Sequence, residues 1–206
     1  METKIAKILS LVFFPLLMPT YTLLIIFNMN VFFSMIIPQA AKWQILGMVF
    51  MITFIFPLFM IILFQRIGII KSLYMKTKKE RTLPYLMTII FFYLTSYLLK
   101  QIQISPIFYY FILGTTFLII ITLIINFFWK ISIHMIGIGG MLGTFMGLSF
   151  LWMTDIPFLI ILLVLCSGIT GFARLKLNAH NPAQIYSGFL LGSSFMLLLF
   201  LVIGYY

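Results

Sequence analysis

Seven apolar runs, each close to the length of a bilayer crossing, leave this chain of 206 residues few folds to choose from. A helix rises about 1.5 Å per residue, so a hydrocarbon core of ~30 Å takes about 20 apolar residues. The runs are about Ile8–Phe27, Trp43–Phe64, Leu83–Leu99, Ile107–Phe128, His134–Met153, Pro157–Phe172 and Ile185–Ile203. Backbone groups in lipid must be satisfied within a helix or a closed barrel, and none of these runs alternates as a barrel strand does. The expectation is an all-α polytopic membrane helix bundle, with seven transmembrane helices and six as the fallback. Leu83–Leu99 is short, and Pro15 and Pro19 invite a kink or a re-entrant turn in the first run. At 64% hydrophobic and 8% charged, residues 1–206 make one integral-membrane domain with no room for a soluble module. Met1 to Lys7 resembles the start of a signal peptide, but no small-residue cleavage pattern precedes Asn28, which favours a retained first span.

The charges then orient the bundle. Basic segments follow the second, fourth and sixth runs, so all three exits face one aqueous compartment. That side and the N-terminus hold Lys4, Lys7, Arg66, Lys71, Lys76, Lys78, Lys79, Arg81, Lys130, Arg174 and Lys176, out of 13 Lys and Arg in all. Lys42 and Lys100 fall opposite. Ordinary positive-inside flanking explains such a bias and makes this side cytoplasmic. A binding role for part of the charge is compatible with it. Short clusters between helices, with no single long basic face, argue against nucleic acid as a partner. The lone Cys166 excludes an intrachain disulfide. Trp43, Trp129 and Trp152 stand near run ends, as interfacial anchors do. Gly139, Gly143 and Gly147, and again Gly188 and Gly192, repeat at four-residue spacing, which lets helix backbones approach closely. Packing inside the bundle is the first reading of these faces, and a homodimer through them is the second.

Polar chemistry is scarce and clustered. The chain has two histidines, three acidic residues (Glu2, Glu80, Asp155) and one cysteine, too few to assemble a metal site easily. Both histidines, His134 and His180, stand where a basic stretch enters an apolar run. Arg81-Thr82-Leu83-Pro84 puts a proline where a first helical turn tolerates it, and Ser132 offers a hydroxyl just before the fifth run. His180-Asn181-Pro182-Ala183-Gln184 reads as an N-cap, a proline and a third-position glutamine. Helix starts present unsatisfied N–H groups and partial positive charge, and arginine adds planar paired donors, so a site for an anion follows.

The spacing Arg174-x5-His180, with Ser132-x-His134 and a basic segment ending at Arg81, resembles the type 2 phosphatidic acid phosphatase superfamily. That family carries a lysine with Arg-Pro, then Ser-Gly-His, then Arg, five residues, His, three residues and Asp. The likeness covers about Lys71–Tyr206 as a PAP2-like core and leaves residues 1–70 as two extra N-terminal spans. It implies a bacterial cell (inner) membrane protein that hydrolyses a lipid phosphate or pyrophosphate without a cofactor, and it favours a periplasmic site where the charge bias favours a cytoplasmic one. By the same resemblance His180 is the nucleophile, forming a phosphohistidine, and His134 protonates the leaving oxygen. Arg174, Ser132, Arg81 and Lys78 or Lys79 hold the phosphate oxygens. Four positions depart from the pattern, the first being Pro84, which stands three residues after Arg81 instead of adjacent to it. Ile133 replaces glycine, Tyr74 stands where the first lysine is due, so that Lys76, Lys78 or Lys79 must substitute, and Gln184 stands where the family has Asp.

Gln184 is the departure with the largest consequence. An amide oxygen still accepts a hydrogen bond from the nucleophile's ring but supplies no charge. In a serine-protease triad, replacing the equivalent Asp by its amide costs about 10⁴ in turnover, so a loss of about 10²–10⁴ is expected here. The alternative to catalysis is an impaired member that binds or moves anionic lipids. Bland readings stand beside the functional ones. Asn181-x-x-Gln184 fits a capping box, His134 fits a helix-start histidine bonded to a carbonyl, Lys76–Arg81 fits a solvated positive-inside loop, and Arg174 fits a side chain snorkelling to the interface.

Overall fold

The computed structural model describes residues 2–72, 75, 77–102 and 104–205, which form helices and connecting turns with no strand among them. Tyr74 and Lys76 lie outside the described residues. The helices are α1 (Glu2–Val12), α2 (Met18–Asn28), α3 (Phe32–Met35), α4 (Gln39–Phe50), α5 (Phe56–Arg66), α6 (Lys78–Gln101), α7 (Pro106–Phe128), α8 (Ile133–Trp152), α9 (Pro157–Lys176) and α10 (Pro182–Tyr205). Among the described residues, 7 helical segments are long and apolar enough to cross a membrane, counting Glu2–Asn28 and Gln39–Arg66 as one each. This is an integral, multi-pass membrane protein.

Two of those segments are interrupted, and prolines explain both interruptions. Pro15 lacks the N–H that would continue α1 and starts a short 3₁₀ turn, Pro15–Leu17, before α2. In the second segment Pro57 would clash with the carbonyl one turn earlier. The chain relieves this with a π-helical turn at Met51–Ile55, in which the N–H of Phe56 bonds the carbonyl of Met51.

The chain divides into two compact units, Met1–Met18 with Lys130–Tyr206, and Pro19–Trp129. These limits differ from the boundary near residue 70 that the family resemblance suggests, because α1 packs on α9. In the first unit α8 is central, with most of its length buried against α10 and α9. Lipid is as apolar as a side chain, so burial alone does not drive helices together there, and close backbone contact has to. The glycines provide it. A Cβ on Gly139 would lie 2.5 Å from the carbonyl oxygen of Phe189, and one on Gly188 would lie 2.8 Å from that of Ser132. Gly143 meets the Ser193 carbonyl and Gly192 the Ile136 carbonyl closer still. All four are buried in the α8–α10 seam, so these faces serve packing within the chain and are not exposed for a homodimer.

In the second unit α6 and α7 form the main helix pair. α6 starts earlier than the apolar run suggests. Thr77 and Glu80 close a capping box, with each side chain accepting from the other's backbone N–H, and the helix begins at Lys78. Pro84 is therefore inside the helix, in its second turn and not its first, and Arg81 lies one turn into the helix and not ahead of it. Several buried hydroxyls in both units bond back to their own helix. Thr88, Thr116 and Thr144 each donate to the carbonyl four residues earlier at 2.8 Å, so none faces lipid unsatisfied.

Candidate functional site

The start of α10 carries the most tightly specified part of the site. Asn181 Oδ1 accepts from the backbone N–H of Gln184 at 2.9 Å, and the Asn181 N–H donates to Gln184 Oε1 at 3.3 Å. The capping box and the histidine partner are therefore the same residue, because Gln184 Oε1 also lies 2.9 Å from His180 Nδ1. A backbone N–H can only donate, so the Gln184 atom facing Asn181 is the oxygen. His180 must then donate from Nδ1, so that in the neutral ring the lone pair is on Nε2. A three-residue cap has fixed a tautomer.

The α7–α8 connection closes over this start. The Ser132 N–H donates to the Gln184 carbonyl at 3.3 Å, and Lys130 Nζ donates to the Ala179 carbonyl at 3.1 Å. Ser132 is the N-cap residue of α8, yet its hydroxyl makes no cap bond. The Oγ is fully buried and has no hydrogen-bond partner among the described residues, which is a costly state for a hydroxyl unless a ligand or water satisfies it.

His134, the second residue of α8, is held from elsewhere in the same unit. Its Nε2 lies 3.2 Å from the backbone carbonyl of Ser10 in α1. A carbonyl only accepts, so Nε2 bears the proton. The Ser10 carbonyl is available because α1 is ending. The Phe14 N–H, its partner in an uninterrupted helix, bonds Leu11 instead. Arg174 Nη1 donates to the Ser10 hydroxyl at 3.3 Å, and Phe14 meets the His134 ring edge-on at 5.9 Å between centroids. Sequence reasoning missed Ser10, which lies outside the resemblance. Its available signal was a serine in an apolar run, five residues before a proline.

The structure thus brings His134, Arg174, Ser132, His180 and Gln184 to one end of the first unit, where α8 and α10 begin and α9 ends. The first-block residues belong to the second unit. There Lys78 Nζ donates to the carbonyls of Phe127 and Phe128 at 3.1 and 3.2 Å, at the negative end of α7. Arg81 is buried, and its Nε donates to the Met75 carbonyl at 2.9 Å, holding a residue with φ of +42°. Lys79 is exposed. Both Lys78 and Arg81 are engaged on backbone oxygens that need them. Among the described residues no three of His, Cys, Asp and Glu come together in a group able to hold a metal ion.

No family model matches the chain, and no curated protein or solved structure matches it either.

Proposed function

We propose that the protein is a metal-independent phosphatase of a lipid phosphate or pyrophosphate, working from a cell (inner) membrane through a phosphohistidine. The observation that carries the proposal is the His180–Gln184–Asn181 geometry, which puts the ring's lone pair on Nε2. A nucleophilic histidine needs that tautomer and that orientation. The lone pair forms an N–P bond as the bond from phosphorus to the lipid oxygen breaks, and His134 gives that oxygen its proton. Water then attacks phosphorus and gives a proton to His134, the N–P bond breaks, and inorganic phosphate leaves with both histidines restored. Arg174 and the buried Ser132 hydroxyl hold the phosphate oxygens on which charge gathers. The resemblance to the type 2 phosphatidic acid phosphatases supports the same assignment of roles.

A second reading has its own observation. Gln184 brings no charge and divides its oxygen between His180 and Asn181, so a site that binds an anionic lipid without turning it over also fits. One screen separates the two. Purified protein in mixed micelles is given phosphatidic acid, phosphatidylglycerophosphate and a polyprenyl pyrophosphate, and inorganic phosphate is measured. Release from at least one, abolished by His180→Ala, is the expected result. Release unchanged in His180→Ala removes the nucleophile from the scheme. Binding without release, persisting after Gln184→Asp, establishes the second reading.

A further inference from the structure

The N-terminal segment supplies the oxygens at this end of the first unit. Two donors from different helices converge on one residue: His134 of α8 meets the Ser10 carbonyl, and Arg174 of α9 meets the Ser10 hydroxyl. The cover continues along α8. Phe14 stands edge-on to His134, and a Cβ on Gly137 would lie 3.1 Å from Met18 and 3.5 Å from Pro15. Ser10 and His134 are both more than nine-tenths buried where they meet. We propose that this segment is an internal plug: Ser10 places its own two oxygens where Arg174 and His134 receive a lipid phosphate, and α1 withdraws when the anion enters. This rests on the anion site proposed above and adds its regulation.

The chemistry of the contact decides which occupant wins. A guanidinium takes a planar pair of charged oxygens best, and such bonds are about twice as strong as neutral ones. Ser10 gives Arg174 one neutral oxygen at a long 3.3 Å, and gives His134 a carbonyl at 3.2 Å. A phosphate offers charged oxygens to both at once, so it displaces the serine when present. The plug packs on α9 along one side and is open on the other. α1 is 11 residues long, leaves Ile5, Ile8 and Leu11 exposed, and at its far end holds α9 through an exposed ion pair between Glu2 and Lys176. Exposed pairs hold weakly.

The test measures binding of inorganic phosphate to the full chain in micelles by calorimetry, which needs no turnover. Ser10→Ala removes the hydroxyl that competes for Arg174 and should tighten phosphate binding about tenfold, the scale of one hydrogen bond to a charged group. Independently, a carbodiimide can join Glu2 to Lys176 as an amide, identified by mass spectrometry, with Lys176→Arg as the chain that cannot form it. The tethered protein should bind phosphate at least about tenfold more weakly than the untethered one. Binding by the wild type that Ser10→Ala leaves unchanged or weakens, or that the tether leaves unchanged, overturns the plug alone. No binding by any of these chains overturns the anion site and the plug with it.

Discussion

The starts of α8 and α10 each carry one of the two histidines, and the two are held in opposite ways. His180 is fixed by its own helix start, through a glutamine four residues on and an asparagine beside it. His134 is fixed by a carbonyl 124 residues away in sequence, with a phenylalanine from the same segment against its ring. A local frame folds with its helix and cannot be removed without unwinding it. A distant frame can be withdrawn while the helix stays intact. The contrast assigns the permanent part of the chemistry to α10 and the adjustable part to α8.

The sharpest way to probe the permanent frame is to restore its charge. Gln184→Asp keeps the acceptor for His180 Nδ1 and adds a negative charge, so turnover should rise about 10²- to 10⁴-fold if the frame is catalytic. Initial rates of phosphate release measure it, and a rate that does not rise would show that the missing charge is not what restrains the site. Next in size is the seam that fixes the two histidine-bearing starts to each other. Gly143→Leu drives a side chain into the Ser193 carbonyl and should cost about 1–3 kcal/mol in reversible unfolding in micelles, or more if α10 is expelled. The same leucine at Gly168, which has open space around its Cβ position, should be nearly silent. Asn181→Ala removes the cap and one of the bonds that orient Gln184, at a cost of about 1 kcal/mol in stability. It should also lower turnover, since the glutamine oxygen loses the geometry that dictates the His180 tautomer. The smallest effect belongs to the second unit. Lys78→Met deletes the donor at the end of α7 and should cost about 0.3–1 kcal/mol, read as a shift in unfolding midpoint.

What the sequence discloses follows the same division. The seven apolar segments are legible because composition alone decides whether a helix tolerates lipid. The Asn181–Gln184 cap is legible because it closes within four residues. The glycine spacing announces close packing, and α8 and α10 are the two helices that carry it. The start of α6 is misjudged because Lys78–Thr82 is polar, and hydropathy trims a helix to its apolar part. The Thr77–Glu80 capping box, which fixes the true start, is a local signal that the eye passes over beside a proline. The resemblance offers Arg81 and Lys78 as phosphate ligands, while Arg81 bonds the Met75 carbonyl six residues earlier and Lys78 bonds carbonyls at the distant end of α7. Ser10 is not legible at all as a partner of His134 and Arg174, because nothing in a run of leucines states where its broken end comes to rest.

The glycine seam has a mechanical consequence. Where two backbones touch with no side chains between them, neither helix can slide or tilt without steric collision, so the beginnings of α8 and α10 behave as tines of one fork. The seam thereby holds in one register the two helix starts beside which the imidazoles stand. Whatever breathing this end of the molecule needs must come from the N-terminal helix packed beside it.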